Sequence, residues 1–264
     1  MPTAHNDGVA IHYEAETEAL TDETVVLLGD AGYGAWQWSW QYPALSGPYE
    51  VVIPITRGTG ESDATGPHDV ATLAADLEAV LADHGTRRVH LVGAGLGAMV
   101  ALRYALAYSR AASLALVGAS PGGPRAEPIP DGVRERLVAG DDPAAIRRSL
   151  EPVAGEELLA TDALVERIVA WRRAEDADPP VHRAHLDAMD AFDVSDRLYE
   201  ITVPALVLHA ADDRVSPIEN GRLLADGLPR GEFREFPGER LFFVECSKAV
   251  NDALVAFFEA QIGD

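Results

Sequence analysis

Val89–Gly97 reads Val-His-Leu-Val-Gly-Ala-Gly-Leu-Gly and runs into Ala98–Tyr108, an Ala/Leu-rich stretch with helical spacing. A β-branched apolar run, a Gly-x-Gly-x-Gly turn and then a helix is the layout of a nucleophile elbow, where a strand turns sharply into a helix and displays one side chain. The displayed residue of such a turn is the Ser of Gly-x-Ser-x-Gly, and here that position is Gly95. The turn is present and its hydroxyl is absent, so the surrounding chain decides what the turn is for.

Outward from this stretch, apolar runs and helical patterns alternate. Gly8–Ala15 alternates apolar and polar residues, as in a half-exposed strand near a sheet edge. Val25–Leu28, Val51–Ile55, Ser113–Val117 and Val203–His209 are apolar runs of the kind buried on both faces of a parallel sheet. Val70–His84 carries Leu73, Leu77, Val80 and Leu81 at helical spacing; Ile218–Gly227 and Ala249–Gln261 read as further helices and Phe233–Phe236 as a short strand. This alternation predicts an α/β fold: a mostly parallel, doubly wound twisted sheet flanked by helices. From Pro121 to Glu200 no strand-like run appears, and helical stretches (Val133–Val138, Pro143–Leu150, Ala163–Arg173, Val181–Met189) are separated by Pro, Gly and Asp. The expected organisation is a core of residues 1–120 and 201–264 with a helical cap, residues 121–200, inserted into it.

The chain has 264 residues, 47% of them hydrophobic, enough for a large core. Its 43 acidic and 21 basic residues give a net charge of −22, and only Lys248 is a lysine. Such a surface is a poor partner for nucleic acid. Acidic excess spread along the chain, with Arg in place of Lys, is expected of a halophilic cytoplasmic protein, since concentrated salt screens the self-repulsion. An acidic protein from a GC-rich genome has the same bias. One cysteine, Cys246, excludes an intramolecular disulfide framework and a multi-Cys metal site. The N-terminal stretch carries no signal-peptide pattern and no apolar run approaches ~18 residues, so no membrane association is expected. No cofactor is implied.

Leu27-Leu28-Gly29 with its Trp-rich loop, Arg57-Gly58-x-Gly60-x-Ser62-Asp63, the elbow, Ile201-x-Val203-Pro204-Ala205-Leu206-Val207-Leu208-His209, Asp212-Asp213-Arg214-Val215-x-Pro217 and Pro237-Gly238 occur in one order. In these six motifs the chain resembles the α/β-hydrolase family, in particular small ester and lactone hydrolases of the 3-oxoadipate enol-lactonase type. The resemblance covers nearly the whole chain and is weakest in the cap. It implies a Ser–Asp–His triad in that chain order. Carried over by position, the nucleophile falls on Gly95, the acid on Asp213 and the base on Leu241, so two of three members are missing. The His-Gly usual after the first buried strand is Gly29-Asp30, and the Asp usual before x-Arg-Gly is Ile55. Asp30 puts a carboxylate where such enzymes stabilise an oxyanion, which is the wrong sign of charge.

Replacement groups are few. Cys246 reads as a partly buried structural thiol, Ser120 as a turn residue and His209 as core packing, while His182 and His185, three apart on a cap helix, could both face the cleft, with solvent exposure as the default. Asp30 and Asp213 are the carboxylates expected at the pocket floor, where proximity would raise one pKa. Gly29, Asp30, Tyr33, Trp36, Leu96, Met99 and Ser120 are the expected pocket residues, with Trp38 as further lining. Three functions compete. The first is a pseudoenzyme with a degenerate triad that binds a small apolar or aromatic molecule between core and cap. The second is an enzyme using Asp213 or Asp30 as proton carrier, of lyase, isomerase or lactone-hydrolase type. The third is a structural role beside an active paralogue, and a homodimer is left open.

Overall fold

Strands rich in buried apolar residues form the centre of the molecule, and the helices are laid against them. In the computed structural model, which describes residues 1–16 and 19–262, the chain runs β1 (Thr3–Asn6), β2 (Val9–Glu16), β3 (Thr24–Leu28), α1 (Tyr42–Leu45), β4 (Glu50–Pro54), α2 (Val70–His84), β5 (Val89–Ala94), α3 (Leu96–Ala107) and β6 (Ala111–Val117). Five helices follow: α4 (Asp131–Leu137), α5 (Pro143–Ser149), α6 (Glu156–Ala160), α7 (Asp162–Glu175) and α8 (Pro179–Ala191). The chain then makes β7 (Ala205–Ala210), α9 (Ile218–Gly227), β8 (Gly231–Phe236), α10 (Phe242–Glu245) and α11 (Ser247–Ile262). The eight strands form one sheet in the order β1-β2-β4-β3-β5-β6-β7-β8. Pairing is parallel from β4 to β8, while β1 and β2 add antiparallel at one edge.

Every residue of β3, β5 and β7 is buried, as expected of mostly apolar strands in a parallel sheet; the exceptions in sequence, Thr24, His90 and His209, are buried with them. The expected edge strand is β2, but β1 beyond it has no counterpart in the sequence reading. A two-residue turn joins them, Asp7-Gly8, with both residues at positive φ (49° and 86°), the requirement of a tight hairpin with the native twist. Helix α2 begins at Asp69, whose carboxylate accepts from the Thr72 N–H, and ends at Gly85 in the left-handed conformation.

The helical insertion is fastened to the core by polar contacts. Asp176 Oδ1 accepts from Trp36 Nε1–H at 2.8 Å and from the Gly34 N–H at 3.1 Å, and its other oxygen accepts from Arg172 Nε–H at 2.6 Å. The Arg172 guanidinium lies over the Tyr33 ring, 4.6 Å from its centre. This buried arginine, whose Nη1–H also donates to Ser149 Oγ at 2.7 Å, holds α7 against the loop after β3. Among the described residues no helix is long and apolar enough to cross a membrane.

Candidate functional site

The turn after β5 sets the geometry. Gly95 has φ 47° and ψ −108°, the strained conformation that an elbow residue adopts. Its flanking glycines are there for contact rather than flexibility: a Cβ on Gly93 would lie 2.4 Å from the Gly97 carbonyl, and one on Gly97 2.3 Å from the Leu28 oxygen. Strand β5 and helix α3 therefore meet backbone to backbone at the turn, with no room for a Cβ at either flank.

The space above Gly95 is full. A Cβ there would meet Asp30 Oδ1 at 1.9 Å and Arg240 Nη2 at 2.1 Å. Asp30 Oδ1 accepts two backbone N–H groups, from Leu96 at 3.0 Å and from Ala31 at 2.7 Å. These donors come from the residue after the elbow position and from the loop after β3, the two sources of an oxyanion hole in this architecture. A carboxylate of the chain itself thus sits where the oxyanion of a tetrahedral intermediate would sit.

Arg240 completes the arrangement. Its Nε–H donates to Asp30 Oδ2 at 2.8 Å; Nη1–H donates to the Gly118 carbonyl at 2.9 Å and to Asp213 Oδ2 at 3.1 Å. Nη2 lies 2.8 Å from the same Asp30 oxygen but is not aligned on it, so it has no hydrogen-bond acceptor. Asp213 spends its second oxygen on the Val215 and Ser216 N–H groups, at 2.8 and 3.0 Å. All three side chains are buried. Burial by itself raises the pKa of Asp30, but the charge and hydrogen bonds of Arg240 and the two backbone donors outweigh it and hold the carboxyl below its usual range. Burial likewise opposes the charge on Arg240, and the two carboxylates overcome it, so its pKa is raised. One cation between two anions leaves the cluster at net −1.

This geometry corrects several expectations. Leu241 is not the residue facing Asp213: its amide is bonded to the Val153 carbonyl, its side chain is in the core at the start of α10, and Arg240 is the neighbour that turns inward. The expected rise at the pocket floor is not found at Asp30, whose pKa is lowered, because the Arg240 guanidinium lies between it and Asp213. The floor has no vacancy over Gly95. His182 and His185 are buried, not solvent-exposed: the His182 ring rests on Gly32, and His185 accepts the Gly32 N–H at Nδ1 and donates from Nε2 to the Arg57 carbonyl, each at 3.1 Å. Burial, with nearby cationic and imidazole groups, pushes His182 down to about 3 and His185 to about 4, so both are neutral.

The expected pocket residues separate into three groups. Gly29 and Leu96 border a void of about 30 Å³ behind the elbow. Asp30, Tyr33, His182 and Arg240 border one of about 10 Å³ above it. Met99 and Ser120 border a larger cavity of about 300 Å³ between the ends of β6 and β7 and helices α4 and α8. Trp36 lines none of these, because its indole is committed to Asp176, and Trp38 packs on Phe243. Ser120 accepts the Gly122 N–H, as a turn residue does, and His209 donates to the Ser216 carbonyl from within the core. Cys246 is partly exposed, with its thiol pKa pushed up by burial, which leaves it protonated and unreactive.

A family profile described as the alpha/beta hydrolase fold matches residues 25–245. The RutD protein of Azorhizobium caulinodans, whose name assigns it to carbamate hydrolysis, is 28% identical over 97% of this chain and 98% of its own. The 2-hydroxy-6-oxo-6-phenylhexa-2,4-dienoate hydrolase of Burkholderia cepacia is 30% identical over 83% of this chain and 82% of its own. Among solved structures, the enol-lactonase of Burkholderia xenovorans LB400 superposes with a TM-score of 0.86 at 22% identity, over 98% of this chain and 100% of that one.

Proposed function

We propose that this chain, which belongs to the α/β-hydrolase family, is a non-hydrolytic member that binds a small molecule between its core and the helical insertion, residues 121–200, acting as a cap. The observation that carries the proposal is the Asp30 carboxylate bonded to the Leu96 and Ala31 N–H groups. Acyl-transfer catalysis needs those donors free for a developing oxyanion, a nucleophile at the elbow and a base beside it. Here the donors are taken, the elbow has no side chain and the base position is filled by a cation that cannot accept a proton. Ligand binding falls to the cavity of about 300 Å³, with Met99, Met189, Phe192 and Val215 as an apolar wall, at the lower end of the size of small-molecule sites.

Proton transfer by Asp30 is disfavoured for a stated reason. A general base works best with a pKa near the operating pH, and Arg240 drives Asp30 in the opposite direction. The test is steady-state hydrolysis of p-nitrophenyl esters and small lactones by purified protein in concentrated KCl, together with native mass spectrometry for a bound small molecule. The expected result is no turnover above buffer. Turnover abolished by Asp213→Asn would establish hydrolysis and overturn the proposal.

A further inference from the structure

The cavity of about 300 Å³ has a charge as well as a shape. Beside its apolar lining stand the exposed residues Glu127, Asp131 and Asp190 and one cation, Arg134. Arg134 is already held by two carboxylates: Nη1–H donates to Asp190 at 2.7 Å, and Nη2–H donates to Asp187. Glu127 and Asp131 line the same space, and among the described residues neither has a cationic partner. Asp190 has its pKa raised, first by burial and then, against the pull of Arg134, by the neighbouring Asp187 and Asp131. On the inner side, Met189 and Val215 form the wall shared with the void that Arg240 borders, and Gly118 lends its carbonyl to that arginine. Arg240 too is outnumbered by its carboxylates. Both guanidinium groups near the cavity are thus spent, each inside a cluster of net −1.

We infer that the occupant of this cavity is a small organic cation, a protonated amine or quaternary ammonium on an apolar body, and that carboxylates are excluded. The inference rests on the cavity being the binding site proposed above. An anionic ligand would find no unpaired cation among the described residues that line the cavity and would enter against two net-negative clusters on a chain of net charge −22. A cation gains from the same field, while its apolar part is covered by Phe192, Val215 and the two adaptable methionines, Met99 and Met189. This separates the chain from the Burkholderia cepacia relative, whose name gives a dienoate as substrate.

The test uses three probes on one skeleton, 3-phenylpropylammonium, 3-phenylpropanol and 3-phenylpropanoate, titrated into the full chain in 0.5 M KCl by calorimetry and ligand-observed NMR. The expected order is ammonium tightest, alcohol weaker and propanoate not saturable. Asp131→Asn should weaken ammonium binding about fivefold, the size of a contact between unit charges at about 4 Å in water, and leave the alcohol unchanged. Met189→Trp, which fills the cavity, should abolish both. Propanoate binding as tightly as ammonium, or Asp131→Asn without effect on ammonium, would overturn the charge inference while alcohol binding left the cavity reading standing. No binding of any probe, or binding that survives Met189→Trp, would overturn both.

Discussion

Replacing Arg240 by Met keeps an unbranched apolar stem and removes the one cation between two buried carboxylates. Asp30 would lose its Nε–H donor at 2.8 Å and Asp213 its Nη1–H donor at 3.1 Å, and both residues are buried, which limits their hydration. Removing one partner of a buried ion pair costs about 3–5 kcal/mol, because the remaining charge is uncompensated. For a chain of this size that is a fall in Tm of roughly 6–20 °C. The assay is a thermal melt of wild type and Arg240→Met at constant KCl, repeated from pH 7 to pH 4. In the wild type Asp30 has a depressed folded-state pKa, so its contribution is present above the unfolded value of about 3.9 and is lost as pH falls through the folded value. Without Arg240, burial raises the folded pKa above the unfolded one, and ionised Asp30 then opposes folding most at neutral pH. The gap between the two proteins should therefore be widest at pH 7 and narrow on acidification. Adding Asp30→Asn to the variant should restore about half of the loss, since the amide oxygen still accepts from Leu96 and Ala31. A Tm within about 2 °C of wild type for Arg240→Met at pH 7 would refute the view that this arginine neutralises the site.

Three further outcomes follow from the same structure. Gly95→Ser should destabilise the fold by at least about 1–3 kcal/mol, from the positive φ alone, and should show no esterase activity because the new side chain collides with Asp30 and Arg240; a Gly95→Ser variant that is both stable and active would contradict the occupied site. His182 and His185 have folded-state pKa values below the unfolded value of about 6.5, so the stability they confer is complete above that pH and lost below it, by up to about 1.4 kcal/mol per pH unit for each. Denaturation measured from pH 6.5 to 4.5 should show that slope and His185→Gln should reduce it; a flat profile would count against neutral, buried imidazoles. Finally, a chain of net charge −22 should gain Tm as KCl rises from 0.1 to 3 M, and full stability at low salt would remove the case for adaptation to concentrated salt.

Much of the fold was legible because its signals are local. The bounds of α2 coincide with the apolar spacing of Leu73, Leu77, Val80 and Leu81, framed by a capping Asp69 and a left-handed Gly85. The elbow could be read from three glycines whose role is close approach. The edge strand β1 went unread because Thr-Ala-His-Asn has little strand character, and the Asp7-Gly8 turn was its available signal. Arg240 was missed for a different reason. Motif spacing directs attention to the absent histidine at Leu241, while the bond from Arg240 to Asp30 spans 210 residues and leaves no periodic trace. Its signal was chemical: a charged residue heading the apolar run Leu241–Val244 requires buried counter-charges, and Asp30 and Asp213 were two carboxylates without an identified partner.

The filling of the elbow acts as a ratchet on descent. Restoring a serine at the elbow first drives it into Asp30 and Arg240; converting Arg240 to His first removes the counter-ion of two carboxylates; neutralising Asp30 first leaves Arg240 with one anion and nothing to attack a substrate. Each of these single substitutions loses stability without assembling a nucleophile, a base and a free oxyanion site together. The carboxylate–guanidinium plug is therefore held in place by packing and charge together, and no one of these substitutions opens the elbow by itself.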